Sequence, residues 1–141
     1  MSNARVNCVL LADRHHGLTE GVRGLLESKF DAVVMVADET SLFESAGRIE
    51  PSVVVVDLSL VRGELLRWLT RLRTGCPNMK VILLSVHDQP SVCRAILEAG
   101  ADAFVLKRAI ATDLLAASDA VQAGQRYVSP AVADCLPSGE G

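Results

Sequence analysis

Aliphatic runs recur along the chain, and amphipathic stretches fill the intervals between them. Five such runs, at residues 6–12, 32–37, 52–56, 80–85 and 103–106, are rich in Val, Ile and Leu and barely alternate with polar residues. Strands read this way when both faces are covered, as in a parallel sheet between layers of helices. The intervals carry helical spacing. Leu18, Val22, Leu25 and Leu26 share one face. Leu65, Leu66, Leu69 and Leu72 repeat the pattern, with Arg67, Arg71 and Arg73 on the outer side. Val92, Ile96 and Ala99 form a third stripe; Leu114, Leu115, Ser118 and Val121 form a weaker fourth. Ser41 and Glu44 have capping-box spacing, which predicts a helix over residues 42–49. Pro90 suits a first helical turn, and Gly100 and Gly124 suit helix ends. The whole reads as an α/β fold, (βα) five times over. Right-handed crossovers then give a doubly wound three-layer sandwich around an open parallel sheet.

Composition narrows this picture. A chain of 141 residues, half of them apolar, is long enough for one domain with a real core. That domain is expected over residues 1–128; residues 129–141 (SPAVADCLPSGEG) read as a linker stub or terminal tail without a core of its own. Unbroken apolar runs such as residues 53–56 fall far short of the ~20 residues that cross a bilayer. No basic start followed by an apolar stretch marks a signal peptide. With 14 basic and 17 acidic residues, net −3, the chain lacks the basic excess of a domain that grips nucleic acid. Cys8, Cys76, Cys93 and Cys135 are scattered without a CxxC pair. They read as reduced thiols of a cytoplasmic protein, Cys8 and Cys93 serving as small core hydrophobes.

In open doubly wound sheets, ligands bind beyond the carboxyl ends of the strands, where the strand order reverses. Asp13, Asp38, Asp57, Ser85 and Lys107 end the five strands. In 2-1-3-4-5 order, Asp13 and Asp57 face each other at the switch point. Strands lie about 4.8 Å apart, close enough for the two carboxylates to share a divalent cation. Ser85 and Lys107 stand on the same rim. Oxygen donors for Mg²⁺, a hydroxyl and an ammonium together suit phosphoryl chemistry, with one carboxylate as nucleophile. Asp38 reads better as a helix N-cap. Taken singly, Lys107 would be a solvated lysine and Ser85 a turn residue. Asp57 is harder to dismiss, because a carboxylate ending the apolar run at residues 53–56 is costly without a cation nearby.

At these residues the chain resembles the receiver domain of two-component response regulators, over about residues 6–128. The resemblance rests on VLLAD (9–13), VVVVDLSL (53–60), VILLSVHD (81–88) and EAGADAFVLK (98–107). GQRYVSPAVADCL (124–136) resembles the receiver end of LuxR/NarL-type transcriptional regulators. The resemblance implies a flavodoxin-like, CheY-like fold, with Asp57 as the phosphorylated residue. It implies Mg²⁺ held by Asp13, Asp57 and the Ser59 carbonyl, and Ser85 and Lys107 as phosphoryl-binding switch residues. Phe104 falls at the position of a rotating aromatic, although core packing explains it equally well. The implied partners are a sensor histidine kinase, a second copy of the chain, and DNA only through a helix-turn-helix domain outside these residues. The implied location is the cytoplasm, with no membrane contact.

Three departures bear on that function. The second of two usual acids after the first strand is Arg14, which cannot coordinate a cation. Val61-Arg62 replaces a common Pro-Gly, and Arg108 follows Lys107 where Pro is frequent. Arg14 could pair with Asp13 or Asp57 in place of the metal, or point outward and leave Asp13 a weak ligand. The alternative is then an atypical, phosphorylation-independent receiver acting as a dimerisation or ligand-sensing module, with Mg²⁺ binding weakened or lost. An enzyme is not expected. Ser59 stands where a haloacid-dehalogenase-type phosphatase needs its general acid, and residues 13–17 supply no phosphate loop for FMN. His15 and His16 are adjacent and read as surface residues rather than metal ligands.

Overall fold

Strands with almost no polar residue on either side are satisfied only between two covering layers, and the structure puts them there. The computed structural model describes residues 7–14 and 16–135, apart from the side chains of 16–19 and 133–135. The strands are β1 (Cys8–Ala12), β2 (Ala32–Val36), β3 (Val53–Asp57), β4 (Lys80–Ser85), β5 (Ala103–Leu106) and β6 (Tyr127–Val128). The helices are α1 (His16–Glu27), α2 (Glu39–Ile49), α3 (Leu65–Gly75), α4 (Pro90–Glu98) and α5 (Ile110–Gln122). The sheet is parallel throughout, in the order β2-β1-β3-β4-β5-β6.

Period-two alternation divides the core between the sheet's faces. Leu10, Val54, Val56, Val81, Leu83 and Phe104 pack with Leu42 of α2, Trp68 and Leu72 of α3, and Ile96 of α4. Val9, Leu11, Val53, Val55, Ile82 and Val105 pack with Leu26 of α1 and Leu114 of α5. These strand residues are fully buried. Burying each such side chain contributes about 1.5–3 kcal/mol. Register then sets the rim. Ala12 lies opposite Val56, so Asp13 and Asp57 follow side by side where the order reverses between β2-β1 and β3. Ser85 lies opposite Leu106, which brings Ser85 and Lys107 to the same edge.

Several sequence expectations shift. The helix expected over residues 42–49 begins at Glu39, because Asp38 caps it and accepts from the Ser41 N–H at 2.8 Å. That bond, with a further one from the Ser41 side chain, holds the Asp38 carboxyl below its ordinary pKa. The inner face of α3 is Trp68, Leu69 and Leu72, whereas Leu66 is 53% exposed. Trp68 outcompetes Leu66 because it packs on Phe43 of α2 at 5.3 Å between ring centroids and its indole N–H donates to Glu39.

The last two shifts concern the chain's end and its cysteines. The five expected strands are joined by a sixth, β6, too short to show periodicity. The packed region also runs past residue 128: Ser129 is fully buried and Val132 joins the core cluster holding α4 residues. Cys93 is disulfide-bonded rather than the reduced core thiol expected of it. Sequence spacing carries no information on what the fold sets beside α4. Cys8 and Cys76 are buried thiols, and burial pushes the Cys8 pKa up.

Gly100 ends the turn after α4 with φ +109°, and a Cβ there would lie 3.2 Å from Arg73 Nη1. Arg73 donates to the Gly100 carbonyl and to Asp102, each at 2.7 Å, tying α3 to the start of β5. Gly100→Ala should therefore destabilise by about 1–3 kcal/mol. The measure is a lower urea midpoint at unchanged slope. A Cβ added at Gly24 in α1 would meet nothing within 4 Å, so Gly24→Ala should stabilise slightly, by about 0.5–1 kcal/mol.

Candidate functional site

A strand end leaves its last carbonyl and side chain at the mouth of the sheet, and here three such ends converge in charge. Asp57 closes β3 and caps the short 3-10 turn Leu58–Leu60 that follows. Its Oδ1 accepts from the Ser59 N–H at 3.2 Å, and its Oδ2 from the Ser59 hydroxyl at 2.9 Å. Lys107, the first residue of the 3-10 turn Lys107–Ala109 after β5, reaches back to Asp57. Its Nζ donates to Asp57 Oδ2 at 2.9 Å and stands 3.4 Å from Asp13 Oδ2. The three side chains are 4%, 2% and 10% exposed for Asp57, Asp13 and Lys107, so two carboxylates and one ammonium share a nearly dry pocket.

Electrostatics in such a pocket are strong. Burial alone pushes the Asp57 pKa up, but the Lys107 bond, the two Ser59 bonds and the Lys107 charge outweigh it and hold the carboxyl below its ordinary value. Among the described residues, one ammonium stands against two carboxylates. A hard divalent cation suits that donor set, because Mg²⁺ takes one or two carboxylates and completes its shell with water and phosphate oxygens.

The sequence-predicted residues come together on this rim. Asp57, Ser59, Ser85, His87 and Lys107 line one cleft of about 340 Å³. Ser85 is buried, and its hydroxyl accepts from the His87 N–H at 2.9 Å. Phe104 is fully buried in the core. Asp38 is the helix cap expected of it. Arg14 is exposed, and Lys107 reaches both buried carboxylates. His15, and the side chain of His16, lie outside the described residues.

Sequence reasoning misses several contributors. It gives Ser59 a role only through its carbonyl, and it does not single out His87. Nor does it connect Asp113 and Ser129 to the rim. An Asp beside Leu114 on the inward stripe of α5 is the available signal.

Residues 9–119 match the family described as "Response regulator receiver domain". The transcriptional regulatory protein DegU of Brevibacillus brevis is 29% identical over 126 residues, covering 88% of this chain and 53% of that protein. RcsB of Escherichia coli K12, also a transcriptional regulatory protein, is 26% identical over 133 residues, covering 91% of this chain and 62% of its own length. This chain therefore spans between half and two thirds of the curated relatives it matches. A two-component response regulator of the LuxR family from Aurantimonas sp. SI85-9A1 has a solved structure with TM-score 0.80 at 26% identity, covering 92% of this chain and 94% of that one.

The pH dependence of the cluster follows from the Asp57 shift. A carboxyl depressed in the folded state contributes stability at pH above its unfolded value of about 3.9, and that contribution is lost as pH falls through the lower folded value. Lys107→Met removes the ammonium and leaves two buried carboxylates together, which should lift the Asp57 pKa above its ordinary value. The variant should then gain stability on acidification over the range where wild type is level. Urea unfolding at stepped pH, with the Asp57 ¹³Cγ shift as site reporter, measures both; superimposable profiles would contradict the assignment.

Proposed function

The chain belongs to the response regulator receiver domain family, and from that premise we propose that it works as a phosphorylation switch with Asp57 as the acceptor. The observation that carries this reading is the Asp57 carboxylate itself: buried at the end of β3, kept ionised by Lys107 at 2.9 Å, and open to a cleft with Ser85 on its wall. An ionised, partly desolvated carboxylate is a competent nucleophile toward phosphorus.

In the proposed reaction an Asp57 oxygen attacks the phosphorus of a phosphohistidine on a sensor kinase. The new O–P bond gives an acyl phosphate while the P–N bond breaks, and the imidazole leaves with that electron pair and takes a proton. Lys107 holds the carboxylate before transfer and a phosphoryl oxygen after it. Ser85 would exchange its bond with the His87 backbone for one to the phosphoryl group. Asp13, Asp57 and the Ser59 carbonyl would hold Mg²⁺, which when bound neutralises charge on the phosphoryl oxygens. The movement of Ser85 and Lys107 toward the phosphoryl group would repack the α4–β5–α5 face, a local charge change biasing a two-state element.

The phosphorylation-independent alternative is not favoured. Of the two placements considered for Arg14, the outward one holds: Arg14 is exposed, and Lys107 rather than Arg14 stands between the two carboxylates. Ser59 in place of a second acid argues that phosphoryl uptake is not followed by enzymatic turnover. By analogy with DegU and RcsB, both transcriptional regulators, the switch would control dimerisation and a helix-turn-helix DNA-binding domain in a longer protein in the cytoplasm. No helix among the described residues is long and apolar enough to cross a membrane.

With Mg²⁺ and acetyl phosphate, intact mass should show one base-labile phosphoryl group on wild type and none on Asp57→Asn. Arg14→Asp, which supplies a further carboxylate, should raise the apparent Mg²⁺ affinity and the rate of uptake. Modification that persists in Asp57→Asn would overturn the acceptor assignment. No uptake by wild type, with uptake restored in Arg14→Asp, would overturn the switch.

A further inference from the structure

Beyond the charged pocket, a second buried polar network lies at the other edge of the same strand end. β6 stops at Val128, opposite Phe104, two residues before β5 ends. Ser129 N–H still donates to the Phe104 carbonyl at 3.0 Å, but the chain then turns away at Pro130. The Leu106 N–H on this edge would be left without a backbone acceptor. Ser129 Oγ takes that place, accepting from Leu106 N–H at 3.0 Å and donating onward to Asp113 Oδ2 at 2.7 Å. Ser129 is fully buried and Asp113 is 8% exposed. Thr112 donates to the other Asp113 oxygen at 3.1 Å. The Tyr127 phenol also bonds to Asp113; burial first, then that charge and bond, raise its pKa.

This network grips the Val105–Leu106 peptide, one residue ahead of Lys107. Leu106 caps the 3-10 turn that carries Lys107, and Asp113 stands in the first turn of α5 directly after it. The turn is thus held from both sides, by Ser129 before it and by Asp113 after it. A buried N–H and a buried carboxylate satisfied through one hydroxyl fail together when that hydroxyl is lost. Lys107 must span from the end of β5 across β4 to reach Asp57 on β3, so a small displacement of its backbone is felt at Nζ.

We propose that Ser129 and Asp113 are positioning residues for Lys107, and that through them the segment leaving β6 sets how readily Asp57 takes up a phosphoryl group. The inference rests on the reading of Asp57 as acceptor, but its structural half is independent of that reading. Whatever displaces Ser129 would loosen Lys107, and a phosphoryl group that recruits Lys107 would in turn favour Ser129 in place. By linkage the two effects are reciprocal.

The test uses the whole chain, with Ser129→Ala and Ser129→Thr made in wild-type and Lys107→Ala backgrounds. Ser129→Ala should move the Lys107 ¹³Cε–Hε resonance toward that of an exposed lysine, and Ser129→Thr should restore it. Phosphoryl uptake from acetyl phosphate should slow by roughly three- to tenfold in Ser129→Ala, short of the ~hundredfold that misplacing a reacting group can cost. In the Lys107→Ala background the same substitution should add nothing. Should Ser129→Ala fail to fold, Asp113→Asn, which keeps the side-chain volume, carries the same measurements. An unmoved Lys107 resonance, or an equal slowing in both backgrounds, would overturn the proposal. If wild type takes up no phosphoryl group, the acceptor reading fails, and the resonance alone decides whether Ser129 positions Lys107.

Discussion

The structure turns on one electrostatic constraint: two carboxylates buried side by side at the end of a sheet must be compensated. Asp13 and Asp57 are nearly inaccessible, and burial alone would drive the Asp57 carboxylate toward its protonated form. Lys107 answers both, and its position dictates much of the fold around it. The lysine follows directly on β5, two strands away from β3, at spacings of about 4.8 Å. Its reach therefore requires β3, β4 and β5 in register and a sharp 3-10 turn to aim the side chain inward. A slip of one residue in any of these strands would send the charged group to the opposite face.

The same constraint accounts for the contrast between Lys107 and Arg14. A cation within the cluster is held by the opposing charges and by walls that exclude water. Arg14 follows Asp13 directly and would crowd the carboxylate from the loop side. It stays exposed, where hydration serves a guanidinium better than a pocket already occupied by an ammonium. Among the described residues the pocket thus sets two carboxylates against one ammonium, a donor set that suits a divalent cation.

The layered fold was legible because burial on both faces removes polar residues from strands. Runs such as residues 53–56 and 81–84 admit few other readings. Helix edges were less legible. Asp38 competed with Ser41 as the start of α2, and the competition is decided by a single bond to the Ser41 N–H. The leucine spacing put Leu66 on the inner face of α3 and passed over Trp68, which contact with Phe43 of α2 selects. β6 and the buried Ser129 were invisible because two residues carry no period. The disulfide at Cys93 was equally hidden, since scattered cysteines reveal nothing of their distances in space.

Local chemistry in the sequence determined which residue types end each strand, and hence that carboxylates, a hydroxyl and an ammonium would gather at one rim. Those identities follow from position relative to apolar runs, a one-dimensional property. Which charge answers which was decided only in three dimensions. Lys107 and Asp57 stand 50 residues apart and meet at 2.9 Å because strand order, register and the turn after β5 bring them together. The bond from Leu106 through Ser129 to Asp113 is of the same kind. It exists because a strand ended early and left an N–H that the nearest hydroxyl could satisfy.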